Sequence, residues 1–245
     1  MNISLAAEPI FHLGSFPVTN TLIMSWLIVL VLIIFTFILK NRIKEIPTGI
    51  QNAVEAVFEA LINFMDSVTH DHEKSKKFFP LIATIFIFVI LSNWIEVVPG
   101  LGTIGIYEHI HGKEVLVPFI RSSSADLNVT LAIALISVIG TQIFGATLLG
   151  FSKHLKKYIS LNPLYTFVGI LEIFAELAKI LSFSFRLFGN IFAGEVLLIV
   201  VSNLVPYVAP LPFLLLEIFV GFIQALIFST LTLVFLTMAT TEAAH

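Results

Sequence analysis

The chain contains the run Leu181-Ser-Phe-Ser-Phe-Arg-Leu-Phe-Gly-Asn-Ile-Phe-Ala-Gly-Glu-Val-Leu-Leu-Ile-Val-Val-Ser-Asn-Leu-Val-Pro206, which is long and apolar enough to cross a bilayer as a helix. Its only ionisable side chains are Arg186 and Glu195. A guanidinium cannot escape its charge by losing a proton, and an arginine at the centre of a bilayer costs about 2.5 to 3.5 kcal/mol even on insertion scales. Arg186 is therefore the first candidate for a functional residue.

The composition of the whole chain is that of an integral membrane protein. Of its 245 residues, 58% are hydrophobic and only 12% are charged, which is outside the usual range of soluble domains. The sequence has no cysteine, and this excludes disulfides and thiolate metal sites. The net charge of -3 argues against a nucleic-acid partner, because binding several phosphates requires a basic surface.

Five apolar segments reach the length of about 20 residues that a membrane-spanning helix needs. They are 21–39, 78–98, 127–150, 163–201 and 207–240. The last two are too long to stand upright, since about 1.5 Å per residue gives them nearly 60 Å and about 50 Å against a hydrocarbon thickness of about 30 Å. We therefore expect a single all-α membrane domain over 1–245, with about five to six membrane helices and a long, strongly tilted C-terminal helical hairpin.

The basic residues indicate which side of the membrane each loop lies on. They cluster at three places, 40–44, 74–77 and 153–157. The 99–126 loop, by contrast, holds only Lys113 and Arg121. The positive-inside rule then places the N-terminus outside and the C-terminus in the cytoplasm. Residues 1–20 become an outer N-terminal segment, and Arg121 is interpreted as a loop charge.

Residues 48–69 have the pattern of an amphipathic helix. Pro47, just before them, is a favourable residue for the first turn of a helix. Apolar residues fall on one stripe, and acidic and amide residues take the other side. We expect this helix at the cytoplasmic membrane surface, where it serves either as a scaffold packed on the bundle or as a docking face for a partner.

Polar side chains in the 163–201 segment point in two directions. At 100° per residue, three of them lie within about 40° of Arg186; these are Glu172, Lys179 and Asn190. Glu195, nine positions after Arg186, points to the opposite side. Near the cytoplasmic end, Lys179 with Glu172 or with Glu176 on the flank is either a structural ion pair or part of a path on that side.

The break between the last two segments predicts a tight return of the chain. Residues 202–212 hold three prolines, which favours a turn followed by an antiparallel helix. With the centre of the hairpin near 205 or 206, Arg186 falls opposite Gln224. The amide oxygen of Gln224 can accept from the guanidinium without cancelling its charge.

The same register places Glu195 opposite Glu217 and predicts a proton relay. Two carboxylates close together in a low-dielectric setting cannot comfortably both ionise, so we expect Glu195 and Glu217 to share a proton. The alternative is that Arg186 simply pairs with one of these glutamates as a structural contact. Nine residues of helix and the facing geometry argue against that pairing.

Two other groups of polar residues have structural interpretations. Asp126 and Asn128 open the third apolar segment, where their side chains can cap a helix N-terminus. His70-Asp-His72 and His109-Ile-His111 each offer two metal ligands, but the sequence places no third ligand beside either pair. No metal site is therefore predicted.

The segment Ser182-Phe-Ser-Phe-Arg-Leu-Phe-Gly-Asn-Ile-Phe-Ala-Gly-Glu195 resembles the signature of subunit a of the rotary F-type ATP synthase in its bacterial form. Three more pieces are similar to the same family: Ala125-Asp-Leu-Asn-Val-Thr-Leu-Ala, Leu171-Glu172 followed by Lys179, and Ile223-Gln-Ala-Leu-Ile-Phe. The resemblance spans nearly the whole chain and is weakest over the first 40 residues and the 99–122 loop.

The resemblance implies a non-catalytic stator subunit of the bacterial inner membrane. Its implied partners are the peripheral-stalk b subunits and a ring of c subunits, each of which carries a buried carboxylate. The arginine matching Arg186 meets the ring carboxylates, favours their ionised form and blocks leakage between two offset half-channels. Asn190, Glu195, Glu217 and Gln224 match positions of the outer half-channel. The family often has histidine at one of the positions matching Glu195 and Glu217, so the two glutamates leave the ion open; we expect a proton.

Two other classes of protein compete with this interpretation. A self-contained secondary transporter would bind a solute or ion through Glu172, Arg186 and Glu195, but such proteins often show repeated halves, and none is found in this sequence. A purely structural scaffold leaves the intramembrane arginine without a use. The sequence has no catalytic triad or phosphate-binding glycine loop, so we expect no nucleotide, cofactor or catalytic site on this chain.

Overall fold

The computed structural model describes residues 7–14, 16–98, 105–110, 113–156, 158, 163–206 and 208–241. Over these residues the chain forms seven α-helices and four short strands. The helices are α1 Asn20–Lys40, α2 Ile50–Thr69, α3 His72–Glu96, α4 Leu127–Leu149, α5 Phe151–Lys156, α6 Pro163–Leu204 and α7 Pro210–Ala239. The strands are β1 Pro9–Leu13, β2 Phe16–Thr19, β3 Gly105–Ile110 and β4 Lys113–Pro118. The predicted all-α class is confirmed.

Within the described ranges, five helices are long and apolar enough to cross a membrane: α1, α3, α4, α6 and α7. They match the five predicted spans, and the protein is a multi-pass membrane protein. The largest difference is at α3, which begins at His72 rather than at 78. Asp71 explains the earlier start, because its carboxylate accepts from the backbone N–H groups of Glu73 at 3.0 Å and Lys74 at 3.2 Å and so caps the helix.

The amphipathic helix α2 exists, but it begins at Ile50 rather than at 48, so Pro47 lies before it. Gly49 occupies the N-cap position with a φ of 60°, a conformation that favours glycine. Of the predicted apolar stripe, Leu61 and Met65 are buried, whereas Ile50 remains exposed. Phe58, nearer the middle of the stripe, contacts Phe79 of α3 with the ring centroids 5.5 Å apart, so the stripe packs on other helices from Phe58 onward.

The strands were not predicted. β1 pairs antiparallel with β2, and β3 pairs antiparallel with β4, so each pair is a local hairpin. The first hairpin lies in the predicted outer segment 1–20 and the second in the predicted loop 99–126. The turn of the first uses Gly14 at a φ of 67°.

The chain divides into two compact units. Unit 1 comprises Met1–Glu45, Ile87–Thr130 and Phe185–Ala225, and unit 2 comprises Ile46–Phe86, Leu131–Ser184 and Leu226–His245. Unit 2 has an apolar core made by α2, α3 and α7, which contains Leu61, Met65, Phe78, Ile82, Ala83, Leu233 and Leu236. The prediction of one membrane domain stays a prediction.

In unit 1, hydroxyl groups connect several segments of the chain. Thr21 on α1 donates to a carboxylate oxygen of Asp126 at 2.7 Å, and the other oxygen of Asp126 accepts from the backbone N–H of Asn128 at 2.8 Å. The predicted cap at the start of α4 is therefore confirmed for Asp126. Ser122 donates to the carbonyl of Ser92 on α3 at 3.1 Å, so the segment before α4 is fixed to two helices.

The two longest helices, α6 with 42 residues and α7 with 30, measure about 63 Å and about 45 Å at 1.5 Å per residue. They run antiparallel. In unit 1 Gly194 meets Glu217, and in unit 2 the ring of Phe183 lies 4.9 Å from that of Phe228. Both contacts fit the predicted hairpin centre near 205 or 206, and this register brings the polar residues of the two helices to matching levels.

Candidate functional site

Arg186 lies on the outward face of α6 in unit 1. Its side chain is exposed, and no other residue that the structure describes forms a hydrogen bond or an ion pair with it. The opposite face of the same two turns is buried, with Leu187 and Ile191 each 1% exposed. The guanidinium therefore points away from the packed interior of its own unit.

The face that carries Arg186 continues toward the end of α6 within unit 1. After Arg186, five residues lie within about 40° of it at 100° per residue, and all are exposed: Asn190, Ala193, Leu197, Val200 and Leu204. Apart from Arg186 and Asn190, this part of the face is apolar. If lipid covered it, the unpaired arginine would be strongly unfavourable, whereas a partner with an anionic group would stabilise it.

Gln224 lies at the level of Arg186 on α7, but the two side chains do not meet. Gln224 is buried at 8% exposure, and within the described part of the chain no hydrogen bond joins it to the guanidinium. Two bonds from α3 fix this part of α7. Asn93 donates to the carbonyl of Gly221 at 3.0 Å, and the indole of Trp94 donates to the carbonyl of Ile218 at 3.0 Å.

Glu195 points to the other side of α6 and is paired with Arg121. The Nη2 and Nε atoms of Arg121 donate to the same carboxylate oxygen at 2.9 Å and 3.1 Å. The Arg121 side chain is 6% exposed and that of Glu195 is 19% exposed. The ring of Phe192 lies 6.0 Å from the guanidinium carbon, which is at the outer limit of a cation–π contact.

The interpretation of Arg121 as a loop charge was wrong. It precedes the serines of the segment before α4, and their hydrogen bonds draw the arginine into the unit instead of leaving it in solvent. The available signal was charge balance. Glu195 is the only acid in a long apolar stretch, so a counter-ion was needed, and Arg121 is one of two basic residues in a loop predicted on the outer side.

Glu217 lies close to this ion pair and is buried. It is 6% exposed, and neither carboxylate oxygen has a hydrogen-bond partner among the described residues. Its carboxyl rests on Gly194, where a Cβ atom would come within 2.6 Å of Oε1. The sequence correctly brings Glu217 to the level of Glu195. Glu195 turns to the guanidinium of Arg121, and the proton shared between Glu195 and Glu217 stays a prediction.

The remaining predicted residues lie in unit 2. Lys179 donates to Glu176 at 2.8 Å, and its ammonium lies 4.5 Å from the centroid of the Phe235 ring. Glu172, on the same helix, is half-buried and also has an interaction partner. Of the two predicted pairings of Lys179, the structure shows the one with Glu176, in which both side chains are mostly buried.

A second polar cluster of unit 2 was not predicted. The amide oxygen of Gln142 accepts from the hydroxyl of Tyr158 at 2.8 Å and lies 2.8 Å from Nε2 of His154. Burial raises the pKa of Tyr158, and the negative charge of Glu176 acts in the same direction. Tyr158 therefore stays protonated at neutral pH and acts as a hydrogen-bond donor.

The histidines form no metal centre within the described residues. His70 ends α2 in the left-handed region at a φ of 54°, and Nδ1 of His72 lies 2.7 Å from the carboxylate of Asp66. The side chain of His109 and the whole of His111 lie outside the described residues. The candidate site therefore combines three charged or titratable side chains: the exposed cation Arg186, the paired acid Glu195 and the buried acid Glu217.

Comparison with known proteins agrees with this description. The family model described as ATP synthase A chain matches residues 22–237. A protein named ATP synthase subunit a from Geobacter sulfurreducens is 34% identical over 225 residues, which cover 90% of this chain and 87% of the relative. The proteins of the same name from Moorella thermoacetica and Gloeobacter violaceus are 29% and 34% identical, over 93% and 87% of this chain and 93% and 80% of the relatives.

Proposed function

The chain belongs to the family of subunit a of the F-type ATP synthase, and we propose that Arg186 is the cation that this proton-translocating membrane subunit presents to the carboxylates of a ring of c subunits. One observation carries the proposal. Arg186 is exposed on an apolar helix face, and no described residue of its own chain pairs with it. An arginine in that position needs an anion from outside.

The approach of a ring carboxyl to Arg186 gives proton transfer a direction. A permanent cation within about 4 to 6 Å strongly favours the ionised form of a carboxylic acid, so a ring carboxyl that reaches Arg186 releases its proton. After it moves away into an apolar setting, the carboxylate takes up a proton again. Each elementary charge that crosses the membrane supplies about 2.3 kcal/mol per 100 mV, which is enough to bias successive steps in one direction.

Two access paths complete the proposal. We assign the outer path to Asn190, Glu195, Glu217 and Gln224, all of which belong to unit 1. We assign Glu172, Glu176 and Lys179, which belong to unit 2, to the inner path or to its support. Two offset paths separated by a fixed cation prevent a proton from crossing without moving the ring.

The setting follows from the same assignment. The subunit lies in the bacterial inner membrane with its N-terminus outside and its C-terminus in the cytoplasm, next to the ring of c subunits and the b subunits of the peripheral stalk. It is a component of the membrane sector and not the catalytic subunit. ATP synthesis itself takes place elsewhere in the complex, and this chain contributes the coupling to proton flow.

Substitution of Arg186 in the whole complex tests the proposal. In inverted membrane vesicles, Arg186→Ala should abolish ATP-driven proton pumping while an immunoblot shows the subunit inserted at its normal amount. Arg186→Lys keeps a charge and serves as the matched control; it should retain more coupling than the alanine variant, although an ammonium lacks the fork of a guanidinium. Normal pumping by Arg186→Ala would refute the assignment.

Reconstitution of the chain alone separates the stator from a self-contained transporter. Liposomes that contain only this subunit should show no ion-coupled uptake of any solute, because the titrating carboxylates belong to a partner. Coupled uptake by the chain alone, lost in Arg186→Ala, would favour the transporter instead.

A further inference from the structure

The ion pair between Arg121 and Glu195 lies next to the enclosed carboxyl of Glu217, and this juxtaposition separates the roles of the two acids. We propose that Arg121 is a positioning residue for proton transfer: it holds Glu195 as a fixed anion and leaves Glu217 as the one carboxyl of the group that exchanges a proton. The inference rests on the proposed function, since it concerns the outer path to the ring.

The charge of Arg121 fixes the state of Glu195. The guanidinium is 6% exposed, keeps its charge, and lies at hydrogen-bond distance from the Glu195 carboxylate. Both donated hydrogen bonds end on one oxygen of Glu195, and hydrogen bonds from a cation are stronger to a carboxylate than to a neutral acid. Glu195 is therefore engaged by a permanent cation, whereas Glu217 receives no such bond.

The position of Arg121 is itself fixed by its neighbours. Ser122 donates to the carbonyl of Ser92 at 3.1 Å, and Ser123 donates to the carbonyl of Thr21 at 3.3 Å. Ser25 adds a bond to the hydroxyl of Ser123 at 3.0 Å. The segment after Arg121 is thus tied to both α1 and α3, and this fixes the backbone from which the guanidinium reaches Glu195.

Glu217 has the opposite surroundings. It is 6% exposed, and its two oxygens receive no hydrogen bond within the described residues. Two charged side chains of the described part of unit 1 lie near Glu217. Glu195 on α6 is the nearer one, and Arg121 lies behind Glu195. The α3 residues that bond to this stretch of α7, Asn93 and Trp94, are uncharged.

The proton step follows from this contrast. A hydronium ion on the outer side gives its proton to a carboxylate oxygen of Glu217: its O–H bond breaks, one forms on Glu217, and water is left. The O–H bond of Glu217 later breaks as a new one forms on a ring carboxylate, and Glu217 returns to the carboxylate. The neighbouring anion of Glu195 disfavours a second negative charge and so promotes uptake, whereas the cation of Arg121 limits that effect and permits release.

Four variants in the complete ATP synthase test the inference: R121Q, R121K, R121Q/E195Q and the triple variant R121Q/E195Q/E217Q. Passive proton conduction is measured in membrane vesicles from which the catalytic sector has been stripped, as a function of pH, and is normalised to the amount of complex by immunoblot. In R121Q the uncompensated anion beside Glu217 should lower conduction at neutral pH by about tenfold or more. Its pH profile should move to higher pH by about one unit.

The other variants separate a charge effect from a structural one. R121K and R121Q/E195Q both restore charge balance, so their pH profiles should return to that of the unmodified complex. The triple variant should not conduct, because it lacks the exchanging carboxyl. If R121Q only reduced the amount of complex and each remaining complex kept the original profile, Arg121 would be structural and the inference would be overturned.

Two more outcomes decide the case. If R121Q fails to assemble, the comparison of R121Q/E195Q with R121Q/E195Q/E217Q still tests the inference. Proton conduction by the triple variant would overturn the role of Glu217. Failure of the proposed function is recognised separately, by normal pumping in Arg186→Ala, a variant that leaves Arg121, Glu195 and Glu217 unchanged.

Discussion

Substitution of Gly194 by alanine should disturb the proton path without weakening the fold. A Cβ atom at this position would lie 2.6 Å from Oε1 of Glu217 and 3.2 Å from its Cδ, whereas ordinary contacts begin at 3.4 Å. The carboxyl must therefore move by roughly 0.8 Å. The moving atoms are the far end of a flexible side chain, so the displacement is accommodated without a change in the backbone.

The functional effect of that displacement should be large. A misplacement of about 1 Å in a proton-transfer or catalytic geometry can cost up to about a hundredfold in rate, so we expect conduction to fall by about tenfold to a hundredfold. Helix stability should not fall, because alanine in a helix interior is about 1 kcal/mol more favourable than glycine. The variant should therefore assemble normally and still conduct poorly.

The assay is passive proton conduction in stripped vesicles, with the amount of subunit measured by immunoblot. The double variant G194A/E217D is the matched test, because an aspartate is one methylene shorter and makes room for the new methyl group. It should conduct better than G194A. Conduction by G194A at the rate of the unmodified complex would refute the placement of Glu217 against Gly194, and so would the absence of any improvement in the double variant.

Three further substitutions test other parts of the structure. Gly189→Ala adds a methyl group that meets nothing within 4 Å in this chain, so a loss of pumping in that variant would reveal a partner close to the face of Arg186, and unchanged pumping would argue against close approach. Phe78→Ala removes a fully buried side chain from unit 2 and should destabilise the subunit by about 3 to 5 kcal/mol, seen as reduced accumulation in membranes, whereas Phe37→Ala, at a residue 62% exposed, should accumulate normally. Asp126→Ala removes the cap of α4 and the acceptor of Thr21 and should cost about 1 to 2 kcal/mol, measured as a lower midpoint of thermal inactivation of the detergent-solubilised complex.

The sequence predicted those features that depend on local periodicity. The five spans and the register of α6 against α7 follow from apolar length and from the prolines in 202–212, because helix geometry converts residue number directly into position. The opposite orientations of Arg186 and Glu195 follow from the same 100° step. These predictions needed no knowledge of any contact between distant parts of the chain.

What the sequence could not predict depends on contacts between residues far apart in the chain. Arg121 and Glu195 are separated by 74 positions. Charge balance pointed to a basic residue of the 99–126 loop as a counter-ion, but no local pattern shows that the last residues of this loop fold inward onto α1 and α3. Without that contact, Glu195 and Glu217 look equivalent in the sequence, and the proton shared between them stays a prediction. The guanidinium makes them different, because it neutralises one acid and leaves the other alone.

The pairing of Arg121 with Glu195 also affects Arg186, which lies nine residues away on the same helix. At 1.5 Å per residue the two α6 side chains begin about 13 Å apart along the axis, and an uncompensated Glu195 would attract Arg186 by roughly 1 kcal/mol at an effective dielectric constant of about 20. A carboxylate of a partner at 4 Å would attract it by about 4 kcal/mol under the same conditions. Because Arg121 already neutralises Glu195, most of that background attraction is removed and the charge of Arg186 responds chiefly to what approaches the outer face of α6. The buried Arg121 thus leaves the exposed Arg186 available to a partner. This arrangement requires Arg186 and Glu195 to lie on opposite faces of α6, as the 100° step between helix residues places them.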